Sequence, residues 1–375
     1  MQFCNLKKQY QDLKSDIDNA IAEVLEHGMY VGGPEVGEIE KKCTAFTGAK
    51  FAKACSSGTD ALVLALMAYE IGAGDYVITT PFTFIATAEA VALVGATPVF
   101  VDIDPKTYNI CPKALKTFLD TTDIPADKLK GVITVDLYGQ CADYDAVREA
   151  IKGRNMFIIQ DACQSLGAEY KGVKAGANGD IACTSFFPSK PLGCYGDGGM
   201  VFTSDEKLDQ KLGWLRNHGQ NERYNHKIIG MNGRLDSMQC AVLNAKFYRF
   251  AKVEIKSRNN AAAKYMELLK PVADKGKIVL PYVMPDTVHV WAQFTLMAED
   301  RDGLMAYLGK AGVPTAIHYP KPLHLQEAFA GLGYKAGDFP VAEKAASMVI
   351  SLPMCAYKED HELEEVAKHI ARFYA

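Results

Sequence analysis

An α/β domain built on a mostly parallel sheet, followed by a smaller α+β domain, is what the sequence predicts. Between about residues 50 and 205, short apolar runs end in polar or glycine-rich turns and alternate with amphipathic stretches; after about residue 235 this alternation stops. Strands buried on both faces read as near-continuous apolar runs, and their alternation with helices calls for a parallel sheet covered on two sides. Size agrees, since 375 residues exceed one ordinary domain. A large domain is placed over residues 1–245 and a small one over 246–375.

The chain opens with Leu13, Ile17, Ala20, Ile21, Val24 and Leu25 on one helix face, then a loop at Gly28-Met29-Tyr30-Val31-Gly32-Gly33-Pro34. Seven strand-like runs follow: 51–55, 76–79, 97–101, 131–135, 156–160, 180–186 and 200–203. Amphipathic segments such as 60–68 and 87–94 lie between them. A long helical pattern runs from Met238 to about Leu268. Strand-like runs at 287–297 and 315–319 come next, and Leu363, Val366, Ile370 and Phe373 mark a final helix.

Composition excludes several classes. With 41 Lys plus Arg against 45 Asp plus Glu, the net charge of −4 offers no global attraction to nucleic acid or anionic lipid. Neither a secretory leader nor an apolar run long enough to span a membrane is visible, so a cytoplasmic protein is expected. The ten cysteines are scattered without a CxxC pair, which gives no metal-ligand spacing and suits a reducing compartment.

In parallel α/β sheets, ligands bind beyond the carboxyl ends of strands. Three such ends carry chemistry. At Ser56-Ser57-Gly58-Thr59-Asp60 a strand passes through small residues into a helix, whose free N–H groups would hold an anion; a plain helix cap by Ser57 or Thr59 explains the same text. Asp161 ends a buried run and either caps a helix or binds a cation or a protonated ring nitrogen. Lys190 follows an apolar strand and precedes four glycines in Gly193-Cys194-Tyr195-Gly196-Asp197-Gly198-Gly199, where burial would free its amine as a nucleophile. Together an anion-binding helix start, a carboxylate and a later lysine match the needs of pyridoxal phosphate. The phosphate takes the helix start, the pyridine nitrogen takes the carboxylate, and the aldehyde takes the amine as a Schiff base.

Ser57-Gly58-Thr59-Asp60-Ala61-Leu62, Pro81-Phe82-Thr83-Phe84, Asp161-Ala162-Cys163-Gln164, Ser185-Phe186-Phe187-Pro188-Ser189-Lys190 and Gly230-Met231-Asn232-Gly233-Arg234-Leu235-Asp236 resemble the successive motifs of the DegT/StrS-type nucleotide-sugar aminotransferases. Gly33-Pro34-Glu35-Val36, His318-Tyr319-Pro320 and Ser351-Leu352-Pro353-Met354 extend the resemblance over nearly the whole chain. It implies a fold type I pyridoxal-phosphate enzyme with a seven-stranded sheet, working as a homodimer with shared active sites. It also implies roles. Lys190 would be the Schiff-base lysine and Asp161 the ring-nitrogen partner. Gln164 would lie near the ring hydroxyl and Phe84 would stack on the ring. Gly58, Thr59 and Ser185 would hold the phosphate, with Asn232 reaching it from the neighbouring subunit. Cys163 stands where many relatives have Ala.

The implied reaction takes an amino group from L-glutamate, leaves pyridoxamine phosphate, and delivers the group to a nucleotide-linked keto-sugar. Leu137-Tyr138-Gly139-Gln140-Cys141-Ala142-Asp143 and Val313-Pro314-Thr315-Ala316 are similar to members that aminate carbon 3 of UDP-2-acetamido-2-deoxy-3-oxo-glucuronate for surface polysaccharide. For the substrate's diphosphate and carboxylate, Arg234, His318 and Tyr319 are the candidate contacts. A dTDP-3- or 4-keto-6-deoxyhexose is the alternative substrate, and a non-catalytic regulator the alternative of another class.

Overall fold

Residues 1–375 are described by a computed structural model in which each of the seven apolar runs becomes a strand of one sheet. In chain order these are β1 (Phe51–Cys55), β2 (Tyr76–Thr79), β3 (Thr97–Phe100), β4 (Leu129–Val135) and β5 (Phe157–Asp161). After a separate hairpin of β6 (Glu169–Tyr170) and β7 (Val173–Lys174) come β8 (Ile181–Ser185) and β9 (Gly199–Thr203). The sheet order is β1-β9-β8-β5-β4-β2-β3, and only β9 runs against the others. Packing is close where small residues meet large ones. Gly131 in β4 sits opposite Phe157 in β5, and a Cβ there would lie 2.3 Å from the Phe157 ring.

Helices α1 (Leu6–Asp12), α2 (Lys14–His27) and α3 (Pro34–Thr47) precede the sheet. Between its strands lie α4 (Gly58–Ala68), α5 (Ala86–Leu93), α6 (Pro112–Thr121) and α7 (Tyr144–Ile151), with α8 (Glu206–Leu215) after β9. α4 is apolar almost all round, because it lies against β8 and β9 on one side and α5 and α8 on others; Leu62, Leu64 and Leu66 are all buried. Each of these leucines contributes about 1.5–3 kcal/mol through burial, so α4, which begins at the site, is firmly seated.

A short hairpin, β10 (Gln220–Glu222) and β11 (Asn225–His226), leads to α9 (Ser237–Arg249). α9 continues through a π-helical turn at Phe250–Glu254 into α10 (Ile255–Ala273), so the helical pattern read from Met238 is one rod with a local widening. The remainder contains β12 (Ile278–Val279), β13 (Thr287–Val288), β14 (Phe294–Ala298), α11 (Arg301–Lys310), α12 (Pro340–Met348), β15 (Val349–Leu352) and α13 (Asp360–Phe373). β12, β14 and β15 form an antiparallel sheet over a core that includes Tyr265, Phe294, Leu304, Leu308, Val366 and Ile370. A second cluster joins this part to the large sheet, since Phe82, Phe100 and Tyr138 pack with Leu323, Phe329 and Phe339.

Two expected strands differ. The run 287–297 is split: β13 pairs with β6, the chain turns at Trp291 with φ +50°, and β14 starts only at Phe294. The run 315–319 forms no strand, and only Ala316 pairs, with Ser351. Beyond Ala316 the side chains have other partners: His318 bonds Ser351 Oγ and Tyr319 bonds Gln164, while Pro320 has no N–H for a ladder.

Candidate active site

Sheet register brings the chemistry together. Cys55 and Ser185 both pair with Gly199, and Asp161 pairs with Cys183, so the ends of β1, β5 and β8 and the start of β9 share one sheet edge. A cavity of about 480 Å³ opens there. Its lining includes Gly58, Thr59, Phe84, Asp161, Gln164, Ser185, Lys190, His318 and Tyr319. Asn232 and Arg234 do not line it: Asn232 is exposed, and Arg234 donates to Asn217 Oδ1 at 2.7 Å.

The floor is the start of α4. Ser57 caps the helix by accepting the Asp60 N–H at 3.0 Å, and this leaves the N–H groups of Gly58 and Thr59 without helical partners. Capping and anion binding are therefore compatible readings of the same residues. Gly58 is required by space, since a Cβ there would meet Ser185 Cβ at 2.8 Å and Cys163 Sγ at 3.1 Å. The positive end of the helix and the half-buried Ser185 hydroxyl make this corner a cradle for an anion.

Asp161 is 5% exposed and held from two sides. Thr87 Oγ1 donates to its Oδ2 at 2.8 Å, and the Cys163 N–H to its Oδ1 at 3.2 Å; Thr83 and Thr87 are themselves hydrogen-bonded at 3.1 Å. Nothing pairs with the Lys190 amine, which has no hydrogen bond and no carboxylate within ion-pair distance. Burial pushes its pKa below the ordinary lysine range, against the opposing influence of Cys163 and Asp161. Its loop is fixed from behind by Lys246 on α9. That buried ammonium donates to the Gly193 carbonyl and lies over the Tyr195 ring at 5.1 Å, and burial brings it down to about 8.

The walls come from both parts of the chain. Gln164 accepts the Tyr138 N–H at 2.7 Å and donates to Tyr319 Oη at 3.1 Å, which ties strand β5's exit to the 318–319 segment. Phe84 is 55% exposed and its ring centre is 6.1 Å from that of Tyr319, so one aromatic face is open to the cavity. His318 bonds Ser351 Oγ at 2.8 Å, and burial, aided by the Lys190 charge, lowers it to about 4. It therefore meets a ligand at neutral pH as an uncharged ring, not as a cation.

That shift sets a stability expectation. Between about pH 6.5 and 4 the unfolded chain binds a proton at His318 that the folded chain refuses, so this contribution is lost as pH falls through that window. His318→Gln should flatten the acid slope of stability relative to the parent, measured by urea midpoints from pH 7 to 4; parallel slopes would contradict it.

Thr87, Asp197 and Gln293 also line the cavity and carried no sequence signal of their own. Thr87 lies in an alanine-rich helix, and only its bond to Asp161 reveals it. Asp197 was within the quoted glycine-rich text, where its type alone assigned nothing. Gln293 arrives from the small part, beyond the reach of any local pattern.

The sequence profile described as the DegT/DnrJ/EryC1/StrS aminotransferase family matches residues 11–371. The chain is 46% identical over 357 residues, 95% of its length and 96% of the relative's, to a Pseudomonas aeruginosa UDP-2-acetamido-2-deoxy-3-oxo-D-glucuronate aminotransferase. It is 42% identical, over 99% of its length and 97% of the relative's, to a Geobacillus stearothermophilus protein named pleiotropic regulatory protein. Among solved structures, that of Streptomyces venezuelae DesV in complex with a ketimine intermediate superposes with a TM-score of 0.94 at 38% identity, covering 99% of this chain and 98% of that one.

Proposed function

Because the chain belongs to the DegT/DnrJ/EryC1/StrS aminotransferase family, we propose that it is a pyridoxal-phosphate-dependent aminotransferase that moves an amino group from L-glutamate to carbon 3 of UDP-2-acetamido-2-deoxy-3-oxo-glucuronate. The observation that carries the chemistry is the unpartnered Lys190 amine beside Asp161, above the α4 cradle. The substrate rests on the 46% identity to the Pseudomonas enzyme over almost the whole chain.

The residues fit the cofactor. Gly58, Thr59 and Ser185 would hold its phosphate, Asp161 its protonated ring nitrogen, Gln164 its hydroxyl edge, and Phe84 its ring face. When bound, the cofactor supplies an electron sink for the carbanion at the donor carbon. Lys190 Nζ, whose charged form burial disfavours, takes the proton from the α-carbon of glutamate; in the second half-reaction it delivers one to carbon 3 of the sugar. Asp161 is held in one orientation because Thr87 and the Cys163 N–H each donate to one of its oxygens. His318 and Tyr319 offer neutral hydrogen bonds to the sugar. Ten free thiols support a reducing, cytoplasmic setting, and an amino-uronate product suits surface polysaccharide such as lipopolysaccharide O-antigen.

The working unit in this reading is a homodimer. Asn232 and Arg234 lie outside their own cavity, on a segment where Tyr224 (79%) and Ile229 (88%) are exposed, and a second copy would bring them to the neighbouring site. Mixing Lys190→Ala with Asn232→Ala protein should then restore about a quarter of wild-type activity, since half the dimers are mixed and each has one intact site. No recovery after subunit exchange would argue for self-contained sites.

Assay of purified enzyme with glutamate and a panel of UDP- and dTDP-linked keto-sugars tests the substrate. Preferred turnover of a dTDP-4-keto-6-deoxy sugar would overturn the uronate assignment. A colourless protein inert toward every donor would favour a regulatory role instead.

A further inference from the structure

Outside the site, the first residues of the chain lie along the segment that follows β15. Phe3 O accepts the Met354 N–H at 3.1 Å, Asn5 N–H points at Cys355 Sγ at 3.4 Å, and Lys358 Nζ reaches Gln2 O at 2.5 Å. Residue 4 is thereby held against residue 355, so the two cysteines are neighbours across this contact. Cys355 is 2% exposed, whereas Cys4 is only partly covered. The surroundings favour a negative sulfur at Cys355, which accepts the Asn5 N–H and feels the charge of Arg258, whose buried Nε has no partner. Against burial, the neighbouring Cys4 and these groups lower Cys355 to about 6, while the same pairing and burial raise Cys4 well above the ordinary thiol range. By contrast, burial raises Cys43, Cys55, Cys141, Cys163, Cys183, Cys194 and Cys240.

We propose that Cys4 and Cys355 form a peroxide-sensitive redox couple, whose disulfide fastens the N-terminal segment to the small domain beside the active site. The pair carries one negative charge, held on Cys355. The Cys355 thiolate attacks hydrogen peroxide, the O–O bond breaks, and a sulfenic acid and hydroxide result; the hydroxide takes the Cys4 proton. The Cys4 thiolate then attacks the Cys355 sulfur, forming the S–S bond and expelling a second hydroxide. Two thiols lose two electrons and two protons, and the peroxide becomes two waters. The link matters to the site because the Phe3 ring lies 6.2 Å from that of His318, which lines the cavity. In a reducing compartment such a bond is transient, as a sensor requires.

The test treats the holoenzyme with graded hydrogen peroxide, blocks free thiols, and maps peptides without reductant. A Cys4–Cys355 peptide should appear first, revert with dithiothreitol, and leave the other eight cysteines open to alkylation or protected by burial. The oxidised protein should also melt about 5 °C higher, because the bond closes nearly the whole chain into one loop. Cys4→Ser, at a half-covered position, should fold normally and lack both effects, and Cys355→Ser should match it. Earlier formation of any other pair, a link between two chains, or sulfinic acid at Cys355 without a bond would overturn the proposal. None of these readouts depends on the substrate, so they stand apart from the fate of the uronate assignment.

Discussion

Lys190→Ala should reduce kcat for amino transfer by about 10⁴-fold, because in the proposed mechanism a single amine both anchors the cofactor and carries the proton. Folding should survive, since the Lys190 amine makes no hydrogen bond or ion pair and its removal relieves a desolvated group. Two readouts separate these roles. The visible absorbance of lysine-bound cofactor should vanish, whereas cofactor retention, resting on the α4 cradle and Asp161, should weaken without disappearing. Added small amines should recover part of the lost rate. Activity within tenfold of wild type would remove Lys190 from the chemistry.

Asp161→Asn is expected to cost about 10²- to 10³-fold in kcat, with little change in the KM for glutamate. The amide keeps the size and the Thr87 contact but cannot hold a proton on the ring nitrogen by charge. Thr87→Val tests the support separately: it leaves the carboxylate and removes one of its two donors, so a loss of about tenfold follows. Wild-type kcat in Asp161→Asn would show that the carboxylate serves as a cap and nothing more.

The large sheet was readable in sequence because most of its strands are buried on both faces, and such strands announce themselves as apolar runs. Phe51–Cys55 and Tyr76–Thr79 match their runs residue for residue. The small part was less legible. Its segment at 315–319 has strand composition, yet its side chains are spent on Ser351 and Gln164, contacts that no local pattern encodes. At the site, Asp161 and Lys190 stood out because a charge at the end of an apolar run is chemically conspicuous. Thr87 and Gln293 did not, since an ordinary polar residue gains meaning only from what folding sets beside it. Asn232 and Arg234 were legible only through resemblance, and one chain alone leaves them outside its cavity.

The reversed direction of β9 has a consequence for how the site comes into being. Because β9 runs against β8, Ser185 and Gly199 pair at the foot of the loop 186–198, so the lysine-bearing loop closes as a local hairpin with a small entropy cost. The α4 cradle depends instead on Cys55 meeting Gly199, a contact between residues far apart in the chain. Contacts of low sequence separation form fastest. The reactive lysine should therefore gain its loop before it gains a phosphate site, and pulsed hydrogen exchange during refolding should protect the β8–β9 amides ahead of those of β1. Cofactor capture then becomes a late event, reporting completion of the fold.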